Sequence, residues 1–179
     1  DISDPSSPQL VNDVGSGTTD ANGNIFRLSN PTLAIEGDII CVSSSRIQII
    51  DVKDPSNPVI LSEIEDGLNG FNRVESTGEM VMQDGILYFG AGGADDAITI
   101  ADLSDPSNPV MLSEMSSSDG NLPVLDSPSR IILRDELLYV AWSGTGALTV
   151  IDVSNPSFPV ELETVKDGQA DYSSLAGAR

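Results

Sequence analysis

Histidine is absent from this 179-residue chain, and cysteine occurs once, at Cys41. Without an imidazole there is no Ser-His-Asp or Cys-His nucleophile and no HExxH zinc site. A single cysteine excludes an internal disulfide. Cys41 sits in the apolar run DIICV, where it reads as a small buried hydrophobe rather than a reactive thiol. Lysine is nearly missing as well, with only Lys53 and Lys166. No stretch approaches the ~18 apolar residues of a membrane-spanning helix, so membrane insertion is not expected. Acceptor sites for N-glycosylation are missing, since Asn30-Pro31-Thr32 carries the forbidden proline. Neither a GxSxG nor a GxxxxGK string occurs. The run GAGGAD, containing Gly90, lacks the third glycine of a dinucleotide loop and joins two strand-like runs, so nucleotide binding is not expected.

What the chain does have is acid. Asp and Glu number 28 against 8 Lys and Arg, a formal charge of −20. Such a surface repels nucleic acid and anionic membranes and suits a soluble protein in a salty or extracellular setting. Gly, Pro, Ser and Asp are plentiful, which predicts many turns and few long helices. The sequence opens on Asp1 in mid-repeat, so a longer polypeptide is expected around it.

The repeat decides the architecture. DISDPSSPQLV from Asp1, DVKDPSNPVIL from Asp51, DLSDPSNPVML from Asp102 and DVSNPSFPVEL from Asp152 align, with leading aspartates 50, 51 and 50 residues apart. Each full unit holds four strand-like runs, here called A to D. In the third unit these are RIILRD, ELLYVAW, ALTVIDV and FPVELETV. The A-to-B links around Gly37, Asp84 and Asp135 are short enough for tight hairpins. In the C-to-D links Pro55, Pro106 and Pro156 preset a turn. Asp54, Asp105 and Asn155 can bond the backbone two residues on. The recurring Asp51, Asp102 and Asp152 are expected to cap these turns rather than to catalyse.

Strand C is apolar on both faces. Ile47 and Ile49 oppose Ile50 and Val52; Ile98 and Ile100 oppose Ala101 and Leu103; Leu148 and Val150 oppose Ile151 and Val153. A strand covered on both sides, in four-stranded units of about fifty residues, predicts an all-β fold, a β-propeller of antiparallel four-stranded blades. The expected domain spans 1–179 and is incomplete. It has strand D of a preceding blade in 1–14, full blades in 31–65, 79–116 and 128–165, and a loop over 166–179. That makes thirteen strands. The open end blades are expected to pack on the rest of the polypeptide or on another copy, and two copies could close a ring.

The run LLYVAWSGTGALTVIDVSNPSFPVEL resembles the LVIVD repeat, a propeller-type repeat of bacterial and archaeal surface or secreted proteins. The resemblance covers nearly the whole chain. It is most specific in the B–C–D core and weak in the A strands and the loops before them. It implies a β-propeller and an extracellular or cell-surface location. It implies no reaction and brings no catalytic residues.

The candidate sites lie in the loops. A-to-B and C-to-D turns are short and uniform and share one face. The B-to-C and D-to-A loops share the other and vary, as on a binding surface. Two D-to-A loops, NGNIFR and NGFNR, set Phe26 with Arg27 and Phe71 with Arg73 just before strand A, where they could rim the central channel and receive an anion; the favoured alternative is inter-blade packing by Phe and a salt bridge by Arg. Trp142 ends strand B where the other units have Ser44 and Ala91, which marks it as a candidate contact aromatic. Asp20, Asn22 and Asn24 alternate around glycine like part of a calcium loop, without its distal glutamate. No other cofactor is expected. The leading functional expectation is a non-catalytic extracellular module binding a protein, a glycan or another ligand, in adhesion or surface assembly. The alternatives are the propeller part of a secreted hydrolase or lyase, with catalytic groups elsewhere or carboxylates holding a metal, and a purely structural spacer.

Overall fold

Valine, isoleucine and leucine recur along each strand run, and Asp, Pro and Gly interrupt them at fixed places, so the chain folds as repeated meanders. The computed structural model describes residues 5–28, 31–74, 77–92, 96–118 and 126–168. Among these residues there are twelve strands and no helix. Blade 1 comprises β1 (Leu33–Glu36), β2 (Ile39–Ser43), β3 (Ile47–Asp51) and β4 (Val59–Ile64). Blade 2 comprises β5 (Thr77–Gln83), β6 (Ile86–Ala91), β7 (Ala97–Asp102) and β8 (Val110–Ser116). Blade 3 comprises β9 (Pro128–Arg134), β10 (Leu137–Trp142), β11 (Ala147–Asp152) and β12 (Val160–Lys166). Each blade is a separate antiparallel sheet in simple chain order. The first strands meet across blades, β1 with β5 and β5 with β9, so strand A forms the inner edge.

The register repeats as faithfully as the sequence. Cys41 faces Ile49, Tyr88 faces Ile100 and Tyr139 faces Val150. A bulge interrupts every C–D pairing at the same place, between Ile49 and Ile50, Ile100 and Ala101, and Val150 and Ile151. The extra residue is a leucine each time, Leu61, Leu112 or Leu162, and the bulge adds twist to the outer strand. In blade 2 the A–B hairpin turns on Asp84 and Gly85, both left-handed at φ 54° and 73°, the geometry an Asp-Gly pair favours.

Strand C is the core of each blade. Ile47, Ile49, Ile98, Ile100, Ala101 and Ile151 are fully buried, each contributing roughly 1.5–3 kcal/mol when it is a large aliphatic. Two inter-blade layers result. One joins Cys41, Ile49 and Ile64 of blade 1 to Leu87, Phe89 and Leu103 of blade 2. The other joins Tyr88, Ile98 and Met115 of blade 2 to Leu138, Val140 and Ile151 of blade 3. Burial pushes the Cys41 thiol up to about 12, so it is a packing residue. Strand C of blade 3 departs from the expected two-sided cover. Leu148 is exposed and Val150 half-buried, because among the described residues no further blade stands against that face.

The thirteenth strand is a correction. Residues 8–15 run beside blade 1 without forming a strand, since no strand C lies next to them to share a ladder. Residues 1–4 of that first repeat, and 169–179 of the final loop, lie outside the described residues.

Candidate functional site

The two ends of the blades are built differently. At the A–B and C–D end, the residue after strand C bonds back to the A–B hairpin in every blade: Val52 N–H to Asp38 O (2.8 Å), Leu103 N–H to Gly85 O (2.7 Å) and Val153 N–H to Glu136 O (2.9 Å). Asp51, Asp102 and Asp152 accept the N–H of Lys53, Ser104 and Ser154 at 2.7–2.9 Å. Bonds from the Ser154 backbone and side chain hold the Asp152 carboxyl below the usual carboxylate range. Asp54, Asp105 and Asn155 accept from Ser56, Ser107 and Ser157. The recurring carboxylates therefore serve turn geometry, as their spacing predicts.

The opposite end carries the B–C loops and the D–A loops between blades, while the loop of Asp20, Asn22 and Asn24 runs back along blade 1 beside Ser56, Asn57 and Pro58 of its C–D turn. Three of the aromatic candidates lie inside the protein. Phe26 is buried against Val42, Ile50 and Ile60 on the outer side of blade 1. Phe71 is buried between blades 1 and 2. Trp142, at 1% exposure, is buried between blades 2 and 3. Its indole N–H donates to Thr149 Oγ1 at 3.0 Å, and Thr149 pairs with Thr164 at 2.9 Å. The contact role expected for Trp142 is thus corrected: a ring this size at the end of strand B fills the layer left by the smaller residues around Ala147. Phe26 and Phe71 do not rim the channel: Phe71 closes the layer between blades 1 and 2, the packing role that was the alternative for it, and Phe26 covers the outer face of blade 1.

The arginines part company. Arg73 donates to Glu114 Oε1 at 2.6 Å and to Ser118 Oγ at 3.1 Å, a half-buried pair between the blade 2 loop and β8. Arg27 keeps its side chain exposed, while its backbone N–H docks on Gln48 Oε1 at 2.7 Å. It borders a cleft of about 400 Å³ with Asn24, Ser62 and Glu63. The five candidates are therefore spread over three layers and do not form one site.

Asp20 organises its own loop. Its Oδ1 accepts from the N–H of Asn22 (2.9 Å) and Asn24 (2.8 Å), and its Oδ2 from Asn24 Nδ2 and Ile60 N–H (3.0 Å each). Desolvation is the largest single influence and raises its pKa, but the four bonds together outweigh it and leave the carboxyl below its usual range. Both oxygens face N–H donors, which is an anchor for the loop on β4 rather than a cation's donor set. Among the described residues, no three His, Cys, Asp or Glu side chains gather to hold a metal ion.

Sequence reasoning missed two features at this end. Arg46 bridges Glu63 (2.6 Å) and Glu65 (2.9 Å), and Gln48 joins Glu63 at 2.6 Å, making a charged cluster over blade 1. The second is a junction between blades 2 and 3. Ser127 N–H donates to Asp96 Oδ1 (2.8 Å) and Ser127 Oγ to Asp126 Oδ1 (2.7 Å), while Gly144 N–H reaches Asp126 O (3.0 Å). Asp96 and Ser127 both hold left-handed backbone, φ 38° and 56°, a strain that persists only where surroundings over-determine it. The sole sequence signal was Gly144, where a Cβ would stand 2.5 Å from Asp126 Cγ.

Consecutive four-stranded meanders, joined face to face with strand A innermost, define this as a β-propeller protein. The chain belongs to the LVIVD repeat family, which matches residues 1–15, 29–66, 93–116 and 128–167. The fold is similar to that of a periplasmic gluconolactonase from Pseudomonas aeruginosa (TM-score 0.59, 11% identity, covering 83% of this chain and 38% of that one). It is similar too to a 6-phosphogluconolactonase assignment from Bacteroides fragilis (TM-score 0.60, 11% identity, 83% and 43%). An exo-β-1,3-galactanase from Phanerochaete chrysosporium follows (TM-score 0.51, 10% identity, 86% and 42%). The chain spans less than half the length of these solved proteins, and identities this low carry the fold alone. No curated protein matches the chain.

Proposed function

We propose that this chain is a non-catalytic, extracellular LVIVD propeller module whose loop-bearing end receives a protein or glycan partner. The observation that carries the reading is the asymmetry of the blade ends. One end is stitched identically three times by backbone bonds and Asp caps. The other has loops of unlike length, the strained Asp96–Ser127 junction and the exposed Arg27. A rigid scaffold that varies at one end only is how binding surfaces are commonly built. The absence of histidine and the use of the repeated carboxylates in turns weigh against catalysis by the blades themselves. A charge of −20 and the family's surface and secreted members support a location outside the cytoplasm, and one structural neighbour is described as periplasmic.

The test combines turnover with mapping. The chain is offered δ-gluconolactone and β-1,3-galactotriose, and amide shifts are recorded during titration. The reading expects no turnover, and any saturable shifts to fall in residues 25–28, 65–74, 126–127 and 143–146. Turnover of either compound would favour the hydrolase alternative. Shifts confined to the Asp-Pro turns would contradict the assignment of the binding end.

A further inference from the structure

Residues 8–14 pair with no strand, yet their contacts have counterparts inside the protein. The side chain of Ser62 in blade 1 donates to Pro106 O in the C–D turn of blade 2 at 2.5 Å, and Ser113 in blade 2 donates to Pro156 O in blade 3 at 2.7 Å. These serines occupy equivalent places in strand D and latch each blade to the next. Aligning Asp1 with Asp51 puts Asn12 at that same place, and Asn12 Nδ2 donates to Ser56 O, in the C–D turn of blade 1, at 3.1 Å. Two residues further on, Val14 packs on blade 1 as Ile64 packs on blade 2 and Met115 on blade 3. The segment holds the strand D position of a blade ahead of blade 1.

Among the described residues, nothing fills the space inward of that segment. A groove of about 470 Å³ runs between Val14, Phe26 and the apolar face of blade 1, including Leu33, Ile40 and Val52. Leu33 is 61% exposed, whereas its equivalents Met80 and Ile131 are 5% and 7% exposed, each covered by the preceding blade. Ile35, equivalent to the half-buried Met82 and Leu133, is exposed too.

We propose that the groove and residues 8–14 together receive a three-stranded antiparallel sheet, an A–B–C unit of this same repeat without a strand D of its own. Its strand C pairs with residues 9–14, and its apolar face covers Leu33 and Ile35. Blade 3 of a second copy does not fit, although its outer face is apolar at Tyr139, Leu148 and Val150. It brings β12 into the space that residues 8–14 already hold. It also carries Glu163 where the latch needs the hydroxyl of Ser62 or Ser113, and a carboxylate cannot donate to the Ser56 carbonyl. The occupant is therefore a blade lacking its fourth strand rather than blade 3 of a whole second copy.

The experiment joins a copy of residues 32–50 directly ahead of Asp1 in the full chain and follows amide exchange. Alternate amides between Gln9 and Val14 should slow by about a hundredfold or more, as they enter a ladder, and the melting temperature should rise. The same extension with its added strand C disrupted, Ile47→Ser and Ile49→Ser in the copy only, should give neither effect. If the extended protein does not fold, the peptide SRIQIID is added to the unextended chain, and the same amides should become protected at saturation. Unchanged exchange in the folded extension, or with the peptide at saturation, overturns the proposal. Protection of these amides in the unextended chain alone, together with a dimer by sedimentation, overturns the choice of occupant.

Discussion

Trp142 and Asp20 both drew attention in the sequence as surface groups, and both act inward. Trp142 is the only tryptophan, so its emission reports one site. The indole should emit at short wavelength and resist acrylamide until the blades separate. Trp142→Phe leaves a gap and removes a partner of Thr149, and should cost about 1–3 kcal/mol in denaturant unfolding. A red-shifted, freely quenched emission in the native protein would refute its burial. Asp20 carries a pH prediction. Its folded-state pKa lies below the ordinary aspartate value of 3.8, so its stabilising effect is fully present above that pH and fades as pH falls through the lower folded value. Exchange at Asn22, Asn24 and Ile60 should accelerate in that acidic window, and Asp20→Asn should flatten the dependence. These roles were hidden because a loop side chain's direction depends on what it docks against. The alternating oxygen pattern around Gly23 says nothing about Ile60, forty residues away.

At the level of strands and turns the repeat was nearly transparent. The Asp-Pro-Ser-Asn turn encodes its own hydrogen bonds locally, so Asp54 and Asp105 were readable without a structure. The apolar strand C required cover on both sides, and in blade 2 Ile98 and Ile100 on one face and Ala101 and Leu103 on the other have it. Residues 8–15 resemble strand D equally well, but a strand exists only with a neighbour to share its ladder, which no local signal supplies. Close approach of one blade to the next was also illegible. Gly90 in β6 lies under Pro128 of β9, and a Cβ there would stand 2.8 Å from the proline ring, while Ser43 and Ala141 occupy the equivalent positions in the other blades. Gly90→Ala should therefore destabilise the protein by about 1–3 kcal/mol through overpacking, despite the better strand entropy of alanine. The change is read from the shift in urea midpoint, and an unchanged or higher midpoint would contradict the packing of blade 2 on blade 3.

For the molecule as a whole, 28 acidic side chains against 8 basic ones make self-repulsion the dominant long-range electrostatic term. Sodium chloride from low to physiological strength should raise the melting temperature as screening shortens to about 8 Å. Calcium at millimolar concentration should add little beyond its ionic strength, since the Asp20 oxygens are committed to N–H donors. A rise of many degrees with calcium alone would reveal a site that binds the folded state. The central claim is that three equivalent meanders, each closed on itself, stack through their faces. Cross-strand NOEs in the isotopically labelled chain test it most directly. The account predicts Cys41 with Ile49, Tyr88 with Ile100 and Tyr139 with Val150 as the same pairing three times, with side-chain but no backbone-ladder contacts between blades. A backbone ladder running from one repeat into the next, or a different register in any of the three, would contradict it.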